Sequence, residues 1–194
     1  MSNVEYDLRY LSAGIDLFEK YLLSEDLYWP IGIQAVNGEP PYPYLTLEGL
    51  LLFQQRLQGR SLSTDQWAAY YRCSEKFERV HHQWQVAWDR KATKGFHSRL
   101  RMWGNYLSEY RDDAEGHADR YPYEVRLRVM LHLIQTGLIG KLVSEMEQLS
   151  TLDNLLHTWL VRGQFLWEHA LENSFPREIY WYLYGSLPGK IVNL

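Results

Sequence analysis

Two groups of side chains in this sequence could take part in chemistry, and the first is a glutamate and a histidine one helical turn apart. Glu78 and His81 form a Glu-x-x-His step, the spacing that places two metal ligands on one helix face in di-iron carboxylate bundles. Such a centre needs a second step, and nowhere else does a glutamate precede a histidine by three positions. Since His81 lies on an apolar stripe between Phe77 and Trp84, we expect a hydrogen-bonded core histidine and no metal.

The other histidines and the cysteine show no catalytic arrangement. The seven histidines are scattered, without a His-x-x-x-His pair. Cys73 lies one position off an apolar stripe, which is typical of a small buried residue rather than of a nucleophile. Glycine-rich phosphate loops, the Gly-x-Ser-x-Gly elbow and the His-Glu-x-x-His motif are missing from the sequence. The sequence therefore predicts no catalytic residues and no cofactor.

The second group is a basic window, residues 88–103, in which basic and aromatic side chains alternate. Five basic residues stand within twelve positions, and aromatic residues flank them. This combination suits a phosphate backbone with unstacked bases. The competing interpretation, a solvated helix surface paired with nearby acidic residues, is favoured because the whole chain is acidic. If a polyanion binds, the predicted contacts are Arg90, Lys91, Lys94, Arg99, Arg101 and Trp103.

Length and composition fit a single globular domain with a large core. The chain has 194 residues, of which 46% are hydrophobic and 23% charged. A net charge of −4 argues against binding nucleic acid or anionic lipid through the whole surface. No apolar run approaches the roughly 20 residues that span a bilayer, and the first residues do not resemble a signal peptide. With one cysteine, these features predict a cytoplasmic protein without membrane contact.

A repeated tripeptide is the main clue to architecture. Tyr-Pro-Tyr occurs at positions 42–44 and 121–123, each time ahead of an apolar run that ends at a glycine. Sliding the chain against itself by the same 79 positions also superposes other apolar residues, among them Trp88 on Trp167. We therefore predict one helical domain, 1–194, built from two duplicated units, 1–94 and 96–184, with a pseudo-twofold relation.

Apolar periodicity predicts an all-α bundle of about seven to eight helices. The first runs from Val4 to Leu22 with apolar residues at alternating spacings of three and four, and a capping box of Ser63 and Gln66 predicts the start of another. A polar loop is predicted over 112–120, and an apolar tail over 190–194 that must dock or fray. The other predicted helices cover residues 45–58, 63–94, 96–110, 125–135, 139–149, 150–172 and 176–185.

The connection between the first two helices is long and rich in aromatic residues. It contains an Asn-Gly turn and several prolines, and it could form a two-residue ladder. Connections longer than about 12 residues are uncommon unless they are functional or disordered. We expect this one to be ordered and to expose an aromatic anchor, Trp29 or Tyr42. The predicted partner-binding residues are Trp29, Tyr42 and Tyr44.

Taken together, these features favour a non-catalytic helical protein-interaction module or a subunit of a larger assembly. Its partner would be another protein or a second copy of the chain. The alternative is a helical component that contacts nucleic acid through the basic window. A second alternative is a metal-dependent helical-bundle enzyme around His81.

Overall fold

The computed structural model describes residues 3–138 and 142–190, which form eight α-helices and one two-stranded sheet, so the predicted all-α fold is confirmed. No helix in these ranges combines the length and the apolarity needed to cross a membrane. The helices are α1 (Val4–Leu23), α2 (Leu47–Gln58), α3 (Thr64–Gln83), α4 (Gln85–Asp112), α5 (Ala114–His117), α6 (Tyr121–Glu124), α7 (Arg126–Gln135) and α8 (Val143–Trp159). The strands are β1 (Val161–Phe165) and β2 (Tyr184–Ser186).

The chain divides into two compact units, unit 1 (Met1–Gly95) and unit 2 (Phe96–Leu194). The boundary falls inside α4, next to the boundary between the two predicted repeats. The first residues of α2 and α7 are 79 positions apart, and so are those of α3 and α8. This is the offset between the two Tyr-Pro-Tyr copies. The duplication and the pseudo-twofold relation stay predictions, which a superposition of the two units tests.

The core of unit 1 is formed by aromatic side chains of α1 packed against α2 and α3. Tyr10 stacks on Phe53 of α2 with ring centroids 3.9 Å apart, and Phe18 stacks on Phe77 of α3 at 5.0 Å. Asn3 begins α1, since its side-chain oxygen accepts a hydrogen bond from a first-turn amide. The three-four spacing of apolar residues thus buries one face of α1 along its full length.

The boundary between α3 and α4 differs from the prediction. The capping box of Ser63 and Gln66 is present at the start of α3. The break between the helices lies at Trp84, however, so the predicted break at Gly95 is wrong. Helix α4 continues through Gly95, where the buried Glu48 carboxyl fills the space beside the backbone. A β-carbon at position 95 would stand 2.8 Å from Glu48 Cδ and closer still to Oε1. Glycine is required here for close packing rather than for a helix break.

Replacing Gly95 by alanine is expected to lower the free energy of unfolding by about 1–3 kcal/mol, because the methyl group overpacks against Glu48. The matched control is Gly104→Ala in the same helix, where Leu152 Cδ1 would be 3.7 Å from the new carbon. That variant should gain up to about 1 kcal/mol, the usual preference for alanine over glycine in helices. Urea unfolding followed by circular dichroism measures both effects. Equal effects of the two substitutions would contradict the packing argument.

The last part of unit 2 contains the sheet, where the sequence predicts helices. Helices over 139–149 and 150–172 were predicted, but α8 ends at Trp159 and β1 follows it. The predicted helix over 176–185 is replaced by a 3₁₀ turn (Trp181–Leu183) and β2. Strand β1 pairs antiparallel with β2, with Arg162 opposite Gly185. Residues 139–141 of the first predicted helix and 191–194 of the predicted tail lie outside the described residues.

Residues 112–120 were predicted as a loop and are helical instead. Asp113 begins α5, because its Oδ1 accepts a hydrogen bond from the Gly116 amide at 3.0 Å. A 3₁₀ turn over Ala118–Arg120 continues directly into α6. The polar composition that suggested a loop therefore marks an exposed helical turn with a capping aspartate.

Candidate partner-binding site

The connecting loop, residues 28–44 between α1 and α2, is held against α1 by an ion pair. Arg9 Nη2 donates hydrogen bonds to the two carboxylate oxygens of Glu39 at 2.7 and 2.6 Å. The Glu39 carboxylate also accepts from the Val36 amide at 3.1 Å, across a turn in which Gly38 has a φ of 87°. The hydrogen bond from Arg9 lowers the pKa of Glu39 below its usual value. We call this arrangement the Arg9–Glu39 clamp.

Tyrosines of α1 fix the second half of the connecting loop. Tyr6 stacks on Tyr42 with ring centroids 4.4 Å apart, and the Tyr10 hydroxyl donates to the Tyr44 carbonyl at 3.1 Å. The Tyr42 hydroxyl in turn accepts from Arg9 Nε at 3.0 Å. Because α1 is itself packed in the core, these contacts give the loop a rigid support.

The first half of the loop is tied to the start of α2. Trp29 and Leu45 exchange backbone hydrogen bonds of 3.1 and 2.7 Å, forming an isolated antiparallel bridge. Ile31 lies next to this bridge and is buried. The pairing joins one residue on each side of the loop, Trp29 and Leu45, rather than residues beside the Asn-Gly turn as the suggested ladder would.

The side chains that the loop exposes differ from the expected anchors. Trp29 and Tyr42 are half-buried, because one flanks the bridge and the other packs on α1. Tyr44 is 61% exposed and Val36 is 56% exposed. Ile33 is also exposed, and a groove of about 400 Å³ opens along residues 33–39 beside Pro41 and Tyr42. Of the three predicted partner-binding residues, Tyr44 is the one displayed to solvent.

The sequence does not single out Val36, Glu39 and Arg9 as site residues. A signal for Val36 exists, because it directly precedes the Asn37–Gly38 turn and a residue at the tip of such a turn is exposed. The ion pair has no comparable signal. Arg9 and Glu39 are 30 positions apart, and only the path of the folded loop brings them together.

Half of the predicted polyanion contacts are buried. Lys91 is 3% exposed, and its ammonium group donates to the carbonyls of Ser24 and Asp26 at 2.7 Å each, just beyond the end of α1. Burial lowers the pKa of Lys91. Arg99 and Trp103 are 8% and 0% exposed in unit 2. These three side chains are therefore packed in the protein interior and are not displayed to a ligand.

The other three predicted polyanion contacts reach the surface. Arg90 and Lys94 pair with Glu25 at 3.4 and 2.7 Å, and the hydrogen bond from Lys94 lowers the pKa of Glu25. Arg101 is exposed and lines a groove with His97. Since Arg90 and Lys94 are already paired with Glu25, fewer cations of the basic window are available to a phosphate backbone than its sequence suggests.

His81 packs against the Trp88 ring at a tilt of 37° between the ring planes, and its buried Nε2 has no hydrogen-bond partner within the described residues, unlike the hydrogen-bonded histidine that the sequence predicts. Its ring centroid is 4.0 Å from that of Trp88, and burial lowers the pKa of His81. Cys73 is buried, and burial raises the pKa of its thiol. Within residues 3–138 and 142–190, no three His, Cys, Asp or Glu side chains converge as a metal site would require.

Comparisons of the chain with models of protein families, with curated proteins and with solved structures give no match. The fold defines the class, an all-α protein.

Proposed function

We propose that this chain is a non-catalytic protein-interaction module, or a subunit of a larger assembly, that contacts its partner through the connecting loop. One observation carries the proposal: exposed Val36 and Tyr44 stand on a loop that the Arg9–Glu39 clamp fixes to α1. An unsupported loop of this length would lose conformational entropy on binding. A loop that is already ordered avoids most of that loss, so its exposed side chains contribute more to affinity.

The chemistry of the loop suits an apolar patch on another protein. The displayed side chains Ile33, Val36 and Tyr44 are apolar or amphipathic, and the charge of Glu39 is matched by Arg9. Tyrosine is enriched where interfaces carry most of their binding energy, because it combines a large rigid ring with a polar tip. We propose a protein partner or a second copy of the chain, and a cytoplasmic location, for which the single cysteine is the support.

The nucleic-acid alternative has less support, because Lys91, Arg99 and Trp103 are buried. Retention of single-stranded RNA at low salt that disappears in Arg101→Glu would favour this alternative. The metal-dependent enzyme has less support still, since His81 packs on Trp88 and no metal-ligand cluster is found in the described parts of the chain.

The loop proposal is tested with a double variant, Val36→Asp with Tyr44→Ala. We expect partner binding to weaken about 30-fold or more, since truncating a central interface residue typically costs 2 kcal/mol or more. The matched control is Val86→Asp with Tyr71→Ala, at positions of unit 1 that are 83% and 56% exposed on α4 and α3. Sedimentation velocity measures self-association, and affinity capture from source cells with mass spectrometry identifies other partners.

Each outcome of this comparison has a clear meaning. Self-association, or capture of one particular protein, by the wild type and by the control but not by the loop variant supports the proposal. Equal association by all three proteins contradicts it. Circular dichroism tests whether the loop variant is folded. We expect an unchanged spectrum, because both substituted side chains are exposed and outside the core.

A further inference from the structure

A further pocket, in unit 2, is lined by two arginines. The arginine pocket has a volume of about 400 Å³ and is lined by side chains from the end of α8, from β1 and from the segment that leads into β2. This is within the usual range of small-molecule sites, about 300–1,000 Å³. None of its lining residues belongs to the connecting loop, so it is tested separately from the proposed partner contact.

The two guanidinium groups differ in how they are held. Arg177 Nη2 donates to the Gly163 carbonyl at 3.0 Å, and the Arg177 guanidinium lies over the Tyr184 ring at 4.6 Å. This fixes its orientation and leaves its other N–H groups for a ligand. Arg162 stands on β1 opposite Gly185, so no side chain covers it across the ladder. Among the described residues, no hydrogen bond or ion pair engages the Arg162 guanidinium.

One wall of the arginine pocket is aromatic. The rings of His157 and Trp181 stack face to face, with centroids 3.6 Å apart and planes 9° from parallel. Leu160 extends this wall with an apolar side chain. Because the two rings cover each other's inner faces, a planar base would stack on the outer face of this ring pair.

The pocket also contains a carboxylate, which is a hydrogen-bond acceptor. Glu178 lines the site, and within the described ranges it forms no ion pair with Arg162 or Arg177. The pocket thus combines two groups that bind an oxyanion, a surface that binds a flat ring, and a carboxylate that accepts hydrogen bonds from an amine. Two guanidinium groups that line one pocket match the double negative charge of a phosphate monoester.

We propose that the arginine pocket binds a nucleoside monophosphate. Arg162 and Arg177 hold the phosphate, the wall formed by His157 and Trp181 stacks on the base, and Glu178 accepts a hydrogen bond from an exocyclic amine. No chemical step is involved, so the pocket is a recognition site. A nucleoside monophosphate has one chemical group for each of these three features of the pocket.

The test is isothermal titration calorimetry of the full chain with 5′-AMP, and with inorganic phosphate and adenosine separately. We expect 5′-AMP to bind at least about tenfold more tightly than either fragment, because the two contacts share one loss of translational freedom. Absence of binding by 5′-AMP at millimolar concentration overturns the proposal. Phosphate or adenosine binding as tightly as 5′-AMP also overturns it, since half of the site would then suffice.

Variants locate the binding. Arg162→Ala is expected to weaken 5′-AMP binding by about tenfold or more, as loss of a charge-assisted hydrogen bond does. Arg79→Ala, an exposed arginine on α3 in unit 1, removes the same charge elsewhere and should leave the affinity unchanged. Trp181→Leu should weaken 5′-AMP but not inorganic phosphate. Unchanged 5′-AMP affinity in Arg162→Ala places the nucleotide elsewhere and overturns the assignment, while the proposed loop function is unaffected by any of these results.

Discussion

Replacing Asp7 by alanine is expected to lower the free energy of unfolding by about 3–5 kcal/mol, because it leaves a buried arginine without its carboxylate. Asp7 on α1 is fully buried, with Arg56 Nη2 of α2 3.1 Å from Oδ1 and Arg60 Nη2 3.9 Å from Oδ2. The side chains of both arginines are largely buried as well, at 16% and 7% exposure. A loss of this size is a large share of the 5–15 kcal/mol typical of folded domains.

A matched control is available on the same helix. Asp16 of α1 pairs with Lys76 of α3 at 2.7 Å, but its side chain is 72% exposed. Asp16→Ala should therefore change the stability by less than about 1 kcal/mol, as is usual for surface ion pairs. Guanidinium unfolding of both variants measures the difference. If Asp7→Ala lowers the free energy of unfolding no more than Asp16→Ala does, burial of the ion pair does not determine the stability of unit 1.

Helix α1 contributes both to the stability of unit 1 and to the proposed function. Asp7 faces the interior and pairs with α2, whereas Arg9, two residues later, holds Glu39 of the connecting loop. Tyr6 and Tyr10 of the same helix also contact the loop. The residues that anchor α1 in the core therefore also set the position of the loop that displays Val36 and Tyr44.

Features of the fold that depend on neighbours in sequence were predictable. The apolar spacing from Val4 gives α1 within one residue of its end, and the Ser63–Gln66 capping box marks the start of α3. Both signals operate within one or two helical turns. The sheet was not predictable in this way, because β1 pairs with residues about twenty positions further along the chain and its own sequence also fits a helix.

The burial of charged residues was not predictable either. Lys91 stands in a run of basic residues that is typical of a solvated surface. Its ammonium group is nevertheless buried and donates hydrogen bonds to carbonyls 65 and 67 positions away. The predicted anchors Trp29 and Tyr42 illustrate the same limit, since their aromatic character fits both a displayed residue and a packed one. Only the folded loop determines that Tyr42 packs on Tyr6 while Tyr44 is exposed.

Unit 2 contains its own ion pair between largely buried side chains. Removing it is expected to cause the second large loss of stability. Arg128 Nε and Nη2 of α7 donate to the two carboxylate oxygens of Asp153 on α8 at 2.7 and 2.8 Å. The two side chains are 8% and 20% exposed, and the Arg128 guanidinium lies over the Tyr182 ring at 4.7 Å. Asp153→Ala should lower the free energy of unfolding by about 3 kcal/mol or more, since Arg128 then remains buried without its counter-charge.

The double variant Arg128→Met with Asp153→Leu separates the ion pair from its surroundings. Removing both charges leaves no buried ion, so this variant should be at least about 2 kcal/mol more stable than Asp153→Ala alone. A double-mutant cycle by urea unfolding gives the coupling energy between the two positions. A double variant as unstable as the sum of its single replacements would mean that Arg128 stabilises unit 2 through its packing on Tyr182, and not through Asp153.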